Sequence, residues 1–139
     1  MLQDKDVKII DVLKEDARLS IRDIAKKTSL RPSTVHDRIS KLRKDNVIEK
    51  FTVKLNNKAV GENFIVFLFI TTSRDLDESF FKNKHIKEVF GITGEYDLVL
   101  KLKFADIEDF NKFIIGLRKN TAIKKTQTMI ATIGIKEEV

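Results

Sequence analysis

The sequence predicts an α+β protein in two parts, and three observations carry that reading. Residues 4–44 place apolar side chains at helical spacing in three short blocks parted by turn residues. From Asn63 onward the apolar period drops to two, with two helical blocks set among four strand-like ones. The basic excess lies in the first part: residues 1–62 hold 15 Lys and Arg against 10 Asp and Glu, whereas residues 63–139 hold 12 against 11.

Composition narrows the class further. The chain has 139 residues, of which 42% are hydrophobic and 35% charged, so it can build a core and carries too much charge for a membrane protein. Its longest apolar run, Phe64 to Ile70, is far short of the ~18 residues that a spanning helix needs. No hydrophobic leader follows Met1, and a cytoplasmic protein is expected. The absence of cysteine excludes a disulfide framework and a thiolate zinc site. The net charge of +6, concentrated before residue 63, suits a phosphate-rich partner.

The first helix is expected over Asp4–Glu15, with Val7, Ile10 and Leu13 on one apolar face and Ile9 beside them. The second starts at Ser20, whose hydroxyl can accept from the Asp23 N–H, and buries Ile21, Ile24 and Ala25. Pro32 opens the third, where its missing N–H is not needed. In that helix Val35, Ile39 and Leu42 share the inward side. The outward side then carries short polar groups at the start and long cations further along. Two short helices, a tight turn and a polar outer face make a helix-turn-helix, which lays one helix in the DNA major groove. Ser33, Thr34, His36 and Asp37 are the candidate base readers. Arg38, Lys41 and Lys44 are expected on phosphates, with Arg38 alternatively forking to a guanine. Ser40 lies on the same face, and Asn46 suits the left-handed position that ends the helix.

The connector Val47–Gly61 alternates Phe51, Val53 and Leu55 before Asn56-Asn57, which predicts a short strand. Phe64–Ile70 is apolar on both strand faces, so it calls for two covers, and a partner subunit is the economical second one. A helix is expected over Asp75–Asn83 with Leu76 and Phe80 inward, a strand over Glu88–Thr93, and a turn at Gly94–Asp97. A strand over Leu98–Phe104 follows, then a helix over Ala105–Lys119 burying Ile107, Phe110, Ile114 and Leu117, then a strand over Thr126–Ile135. The order β-α-β-β-α-β is that of a ferredoxin-like split βαβ unit.

The succession of these elements and several short strings resemble the Lrp/AsnC ("feast/famine") transcription regulators over nearly the whole chain. The matching residues are Asp6-x-x-Ile9-Ile10-x-x-Leu13, Arg18-x-Ser20, Leu30-x-Pro32, Arg38-x-x-x-Leu42, Val47-Ile48 and Asn56. In the second half they are Thr93-Gly94-Glu95-Tyr96-Asp97 and Thr126-x-Thr128. The chain departs from the family pattern at Arg31, where a capping serine is usual, and at Ser29 and Asn46, where glycine is usual. Arg31 could instead reach a phosphate. The organisation that follows is a helix-turn-helix domain over 1–50, a strand linker over 51–62 and a ferredoxin-like ligand-binding and oligomerisation domain over 63–139.

The resemblance implies a regulator that binds double-stranded DNA at promoters or operators as a homodimer, with dimers joining into a larger oligomer such as an octamer. It also implies an amino-acid effector held by Gly94, Glu95, Tyr96, Asp97, Thr126 and Thr128. Asp97 and Glu95 can accept from an ammonium, backbone N–H groups near Gly94 can serve a carboxylate, and Glu95 facing the effector's side chain would favour Lys or Arg. Neither catalytic residue, metal nor cofactor is expected. Two alternatives use the same fold: a haem-pathway (sirohaem) decarboxylase-like enzyme, and an architectural DNA-compacting protein. The enzyme would need clustered histidines, and His36 and His85 form no visible cluster.

Overall fold

A computed structural model describes residues 1–139 and divides the chain into two compact units, Met1–Lys54 with Val139, and Leu55–Glu138. The first unit holds α1 (Asp4–Glu15), α2 (Ile21–Thr28) and α3 (Pro32–Lys44). Ser20 caps α2 by accepting from Asp23 N–H at 3.1 Å, and Pro32 opens α3. Ile9, Ile24, Ala25 and Val35 form the core where the three helices meet, and Leu13, Ile21, Leu30 and Ile39 surround it.

Two left-handed residues end the helices. Ser29 (φ 57°) closes α2 and Asn46 (φ 58°) follows α3. After α3 the Val47 N–H returns to Leu42 O at 2.9 Å and the Asn46 N–H to Arg43 O at 3.1 Å. This double closure satisfies carbonyls that the helix leaves unpaired. The serine and the asparagine therefore do the work for which glycine is the usual residue.

The buried stripe of α1 differs from the expected one. Val7 is exposed, and the side chains turned inward are Asp6 and Ile9, both at 0% exposure, with Leu13 half-buried. Asp6 belongs there because of Arg38 on α3. Arg38 Nε donates to Asp6 Oδ1 and Arg38 Nη2 to Asp6 Oδ2, both at 2.7 Å. The Gln3 N–H adds a third bond to Asp6 Oδ2 at 2.8 Å. The forked, charge-assisted geometry compensates the desolvated carboxylate and ties the start of α1 to the middle of α3. Arg38 is thereby corrected from a DNA contact to an internal tie.

In the second unit β1 (Phe64–Thr72), β2 (Ile86–Gly91), β3 (Leu98–Phe104) and β4 (Ile123–Ile130) form one antiparallel sheet in the order β2-β3-β1-β4. One face packs on α4 (Ile107–Arg118) through Val66, Leu68, Ile70, Leu100, Leu102 and Phe104 with Phe110 and Leu117 of the helix. Burying each such aliphatic side chain contributes roughly 1.5–3 kcal/mol. Asp106 caps α4 by accepting from Asp109 N–H at 2.9 Å. Because paired residues of antiparallel strands share a face, Ile65, Phe67 and Phe69 lie on the other side. No element of the unit forms a second layer there.

Five expectations for this half change. The connector forms no strand: Phe51, Val53 and Leu55 are 45%, 65% and 54% exposed, because no neighbouring strand offers them a ladder. The helix expected over Asp75–Asn83 contracts to a 3₁₀ turn, Glu78–Lys82, capped by Asp77, with Phe80 as its anchor on the core. The β2 strand begins earlier, at Ile86, and ends at Gly91, where the Ile92 N–H closes the hairpin on Asp97 O at 2.9 Å. The β4 strand also begins earlier, at Ile123. It ends at Ile130 because Val66 is already its partner there and β1 itself starts at Phe64. The first residue of α4, Ile107, is 54% exposed rather than buried.

The Asp6–Arg38 tie generates a prediction. Its guanidinium bonds hold the Asp6 carboxyl below the usual carboxylate range. A carboxyl depressed on folding stabilises above its unfolded pKa, about 3.9, and that contribution fades as pH falls through the lower folded value. Arg38→Met leaves a buried carboxylate unpaired and is expected to lower Tm of the first unit by roughly 10 °C at neutral pH. Adding Asp6→Asn should recover part of that loss. Thermal unfolding by circular dichroism from pH 3 to 7 measures both, and an unchanged Tm in Arg38→Met would contradict the structural role.

Candidate nucleic-acid interface and effector cleft

The buried residues of α3 are Val35 and Leu42, with Ile39 half-buried, so its opposite face is fixed. Ser33, His36, Asp37, Ser40, Lys41 and Lys44 are exposed, and Thr34 is half-buried at the edge. This is the predicted outer face with Arg38 removed. Along it the chemistry changes from short hydroxyl, imidazole and carboxylate groups to ammonium groups in the last turn. His36 Nδ1 lies 3.4 Å from Asp37 Oδ1, and Lys41 Nζ lies 3.0 Å from Asp45 Oδ2, all of them solvated groups. Such exposed pairs are weak enough for a phosphate to displace the carboxylate.

No side chain caps the start of α3, where Arg31 stands exposed at the N-cap. A cation therefore sits beside the positive end of the helix, an arrangement that only a nearby anion makes favourable. Sequence reasoning missed Arg43, which is exposed with its guanidinium 5.1 Å above the Phe51 ring. It also missed the exposed cations Arg22, Lys26 and Lys27 of α2. Their signal was the charge run itself, set on the side of α2 away from Ile24 and Ala25.

In the second unit the two segments expected to hold an effector meet through Tyr96–Gln127 and Glu95–Lys125, while the side chains of Thr126 and Thr128 point to the other side of the sheet. Gly94 takes φ 115°, a conformation that glycine supplies, so that the β2–β3 hairpin can turn. Asp97 is committed to the sheet: its N–H bonds Ile70 O at 2.9 Å and its Oδ2 accepts from the Thr72 N–H at 2.9 Å. Glu95 is paired with Lys125, whose ammonium pKa it raises. Tyr96 donates its hydroxyl to Gln127 Oε1 at 2.8 Å and packs on Phe69 at a centroid distance of 5.7 Å. Gln127 pairs with Phe69, so Tyr96 and Gln127 meet on the sheet face without a helix.

Thr126 and Thr128 pair with Ile70 and Leu68 and therefore point to the α4 side. There they line a cleft of about 420 Å³ with Asn111, Arg118 and Lys124, over a floor that includes Phe110, Ile114 and Leu117. Glu95 and Asp97, expected to accept an ammonium, both have partners inside the chain, and neither lines this cleft. Glu95 and Lys125 are both solvated, so their pairing is of the weak, displaceable kind seen at Lys41 and Asp45.

His36 and His85 have separate surroundings. His85 stacks on Phe104 at 4.6 Å and its Nδ1 lies 2.9 Å from Lys103 O, while His36 stands on the α3 surface. No group of three His, Asp or Glu side chains is placed to hold a metal ion. No helix is long and apolar enough to cross a membrane.

Comparison with known proteins agrees with both halves. Residues 2–49 match the winged helix-turn-helix DNA-binding family, and residues 65–139 match the Lrp/AsnC ligand-binding domain. An HTH-type transcriptional regulator of Pyrococcus abyssi is 34% identical over 99% of this chain and 97% of its own. The HTH-type transcriptional regulator FL11 of Pyrococcus furiosus is 36% identical over 99% of this chain and 93% of its own. Among solved structures, LrpC of B. subtilis superposes with a TM-score of 0.84 at 26% identity, over 99% of both chains. A regulator of Neisseria meningitidis solved with L-Met reaches a TM-score of 0.92 at 23% identity, over 99% of this chain and 94% of that one, which speaks to the fold. The polar outer face of α3, the ferredoxin-like second unit and these matches over nearly the full length make one conclusion: the chain belongs to the Lrp/AsnC family of helix-turn-helix transcriptional regulators.

Proposed function

We propose that the chain is a sequence-specific DNA-binding regulator that works as a dimer or larger oligomer and responds to a small carboxylate effector. The observation that carries the DNA reading is the division of α3. Its buried side is locked by Val35, Leu42 and the Asp6–Arg38 tie, which leaves a fixed outer face of short polar groups followed by cations. Ser33, Thr34, His36 and Asp37, in the first turns, read base edges. Arg31, Ser40, Lys41 and Lys44 hold phosphates and set the register. In a two-fold dimer the two α3 helices address successive major grooves roughly 34 Å apart.

Self-association uses the sheet face opposite α4, on which Phe67, Phe90 and Met129 are 38%, 60% and 49% exposed. A contiguous apolar surface of this kind on a small unit is a docking face. The effector cleft is the one beneath Thr126 and Thr128. Arg118 and Lys124 supply donors for a carboxylate, and Phe110, Ile114 and Leu117 supply an apolar floor. The cleft has no carboxylate of its own, which favours an apolar side chain over a basic one. Two regulators of similar fold, from Neisseria meningitidis and M. tuberculosis, were solved with L-methionine.

Two predictions test these roles. Lys41→Ala and Lys44→Ala should weaken binding to every duplex alike, and each should lower the slope of log affinity against log salt by about one unit. Fluorescence anisotropy across a salt series measures it, and an unchanged slope would move these lysines off the DNA. Methionine in excess should raise Tm of the wild-type chain, by linkage, while lysine at the same concentration should not. Arg118→Ala should abolish the methionine shift. Equal shifts with both amino acids, or a shift that survives in Arg118→Ala, would place the effector elsewhere.

A further inference from the structure

The sheet face opposite α4 is apolar at Ile65, Phe67, Phe69, Val99, Phe90 and Met129, but two lysines interrupt it. Lys101 pairs with Phe67 and Lys103 with Ile65, so both side chains lie on this face. They are only 17% and 13% exposed. What covers and neutralises them is the segment after β4. It leaves the ladder once the Ala131 N–H has bonded Ile65 O at 2.9 Å, and it returns Glu137 to the lysines.

The Glu137 carboxylate accepts from Lys101 and, at 3.0 Å, from Lys103, and it takes a third bond from Asn57 Nδ2 at 2.9 Å. Lys103 Nζ also donates to Asn57 Oδ1 at 2.7 Å. A second carboxylate, Glu88, lies 3.3 Å from Lys101 but is half exposed. With the lysines and Asn57 around it, the Glu137 carboxyl is held down to about 2 and stays ionised across the physiological range. The face therefore carries a closed set of charges held within one chain.

We propose that Glu137 is the built-in counter-ion that makes this face fit to receive a second copy of the chain. The proposal rests on the dimer reading above and adds a condition to it. A two-fold interface sets each patch opposite itself, so an uncompensated lysine would meet its own copy. Burying an unpaired ammonium in apolar surroundings is also strongly unfavourable. With Glu137 docked, it and Glu88 balance Lys101 and Lys103, so the lysine pair brings no excess charge to the copy. The neutrality points to a second copy rather than to an acidic or basic partner, which would need free charge to recognise. Displacing the tail exposes two cations and closes the face to association, so assembly depends on a residue far along the chain from β1.

The test uses the full chain in sedimentation equilibrium at ~0.05 M and ~0.5 M salt. Glu137→Gln keeps the shape of the side chain and removes its charge. It is expected to raise the dimer dissociation constant at least ~10-fold at low salt. High salt should restore part of that affinity by screening the lysines, whereas the wild type should change little. Adding Lys101→Met and Lys103→Met to Glu137→Gln should return association to the wild-type level, and melting curves confirm that each variant is folded. Equal dissociation constants for wild type and Glu137→Gln at both salts would overturn the counter-ion role. Phe90→Glu separates the two ideas. If it leaves the dimer intact, or if the wild type is a monomer, the docking face itself is wrong. If it breaks a dimer that Glu137→Gln does not weaken, only the role of Glu137 falls.

Discussion

The second unit is organised by a strand whose apolar residues point both ways. Strand β1 sits inside the sheet between β3 and β4, with Val66, Leu68 and Ile70 facing α4 and Ile65, Phe67 and Phe69 facing away. A unit this size has one long helix with which to cover a sheet, and α4 covers one side only. The rest follows from that shortage. The uncovered side must be small, shared or screened, and the tail with Glu137, the Tyr96–Gln127 bond and the lysines of β3 all lie on it. The cleft lined by Thr126 and Thr128 lies on the covered side, between α4 and β4. The hydrophobic pattern of a single strand thereby sets the two faces of one sheet apart.

The first unit answers a different constraint. Three helices of 12, 8 and 13 residues meet at a small core of Ile9, Ile24, Ala25 and Val35. A bidentate ion pair supplies direction where packing supplies only proximity. Asp6 and Arg38 hold α1 against α3 by two bonds of 2.7 Å, so the outer face of α3 keeps a defined orientation within its unit. Groove reading needs that definition, because contacts to base edges depend on the rotation of the helix about its own axis.

Much of this was legible in the sequence, and the failures share a cause. Ser20, Pro32 and Asn46 act on residues within a few positions of themselves, so the caps and turns of the helices could be read locally. The unbroken apolar run Phe64–Ile70 and the alternation in Leu98–Phe104 likewise declared the central strands and the open face. What was missed depends on partners far along the chain. Arg38 looked like one more outer cation, and only the place of Asp6 three residues before Ile9 hinted that a carboxylate lay on the buried stripe. Thr126 and Thr128 do share a side, as their spacing requires, but which side was decided by the pairing of Thr128 with Leu68. Phe51, Val53 and Leu55 alternate as a strand would, yet alternation makes a strand only where a neighbour offers a ladder. The Asp75–Asn83 segment had helical spacing, yet only Glu78–Lys82 coils, and it does so as a 3₁₀ helix.

The central claim is that this fold presents two copies of α3 to DNA as a sequence reader. Its most direct test is the selection of bound duplexes from a random pool at ~0.15 M salt with competitor DNA. The account predicts enrichment of a two-fold-symmetric motif with half-sites about one helical turn apart, centre to centre. Tight binding that enriches no motif would contradict it, and would assign the same basic face to compaction of DNA rather than to regulation of particular genes.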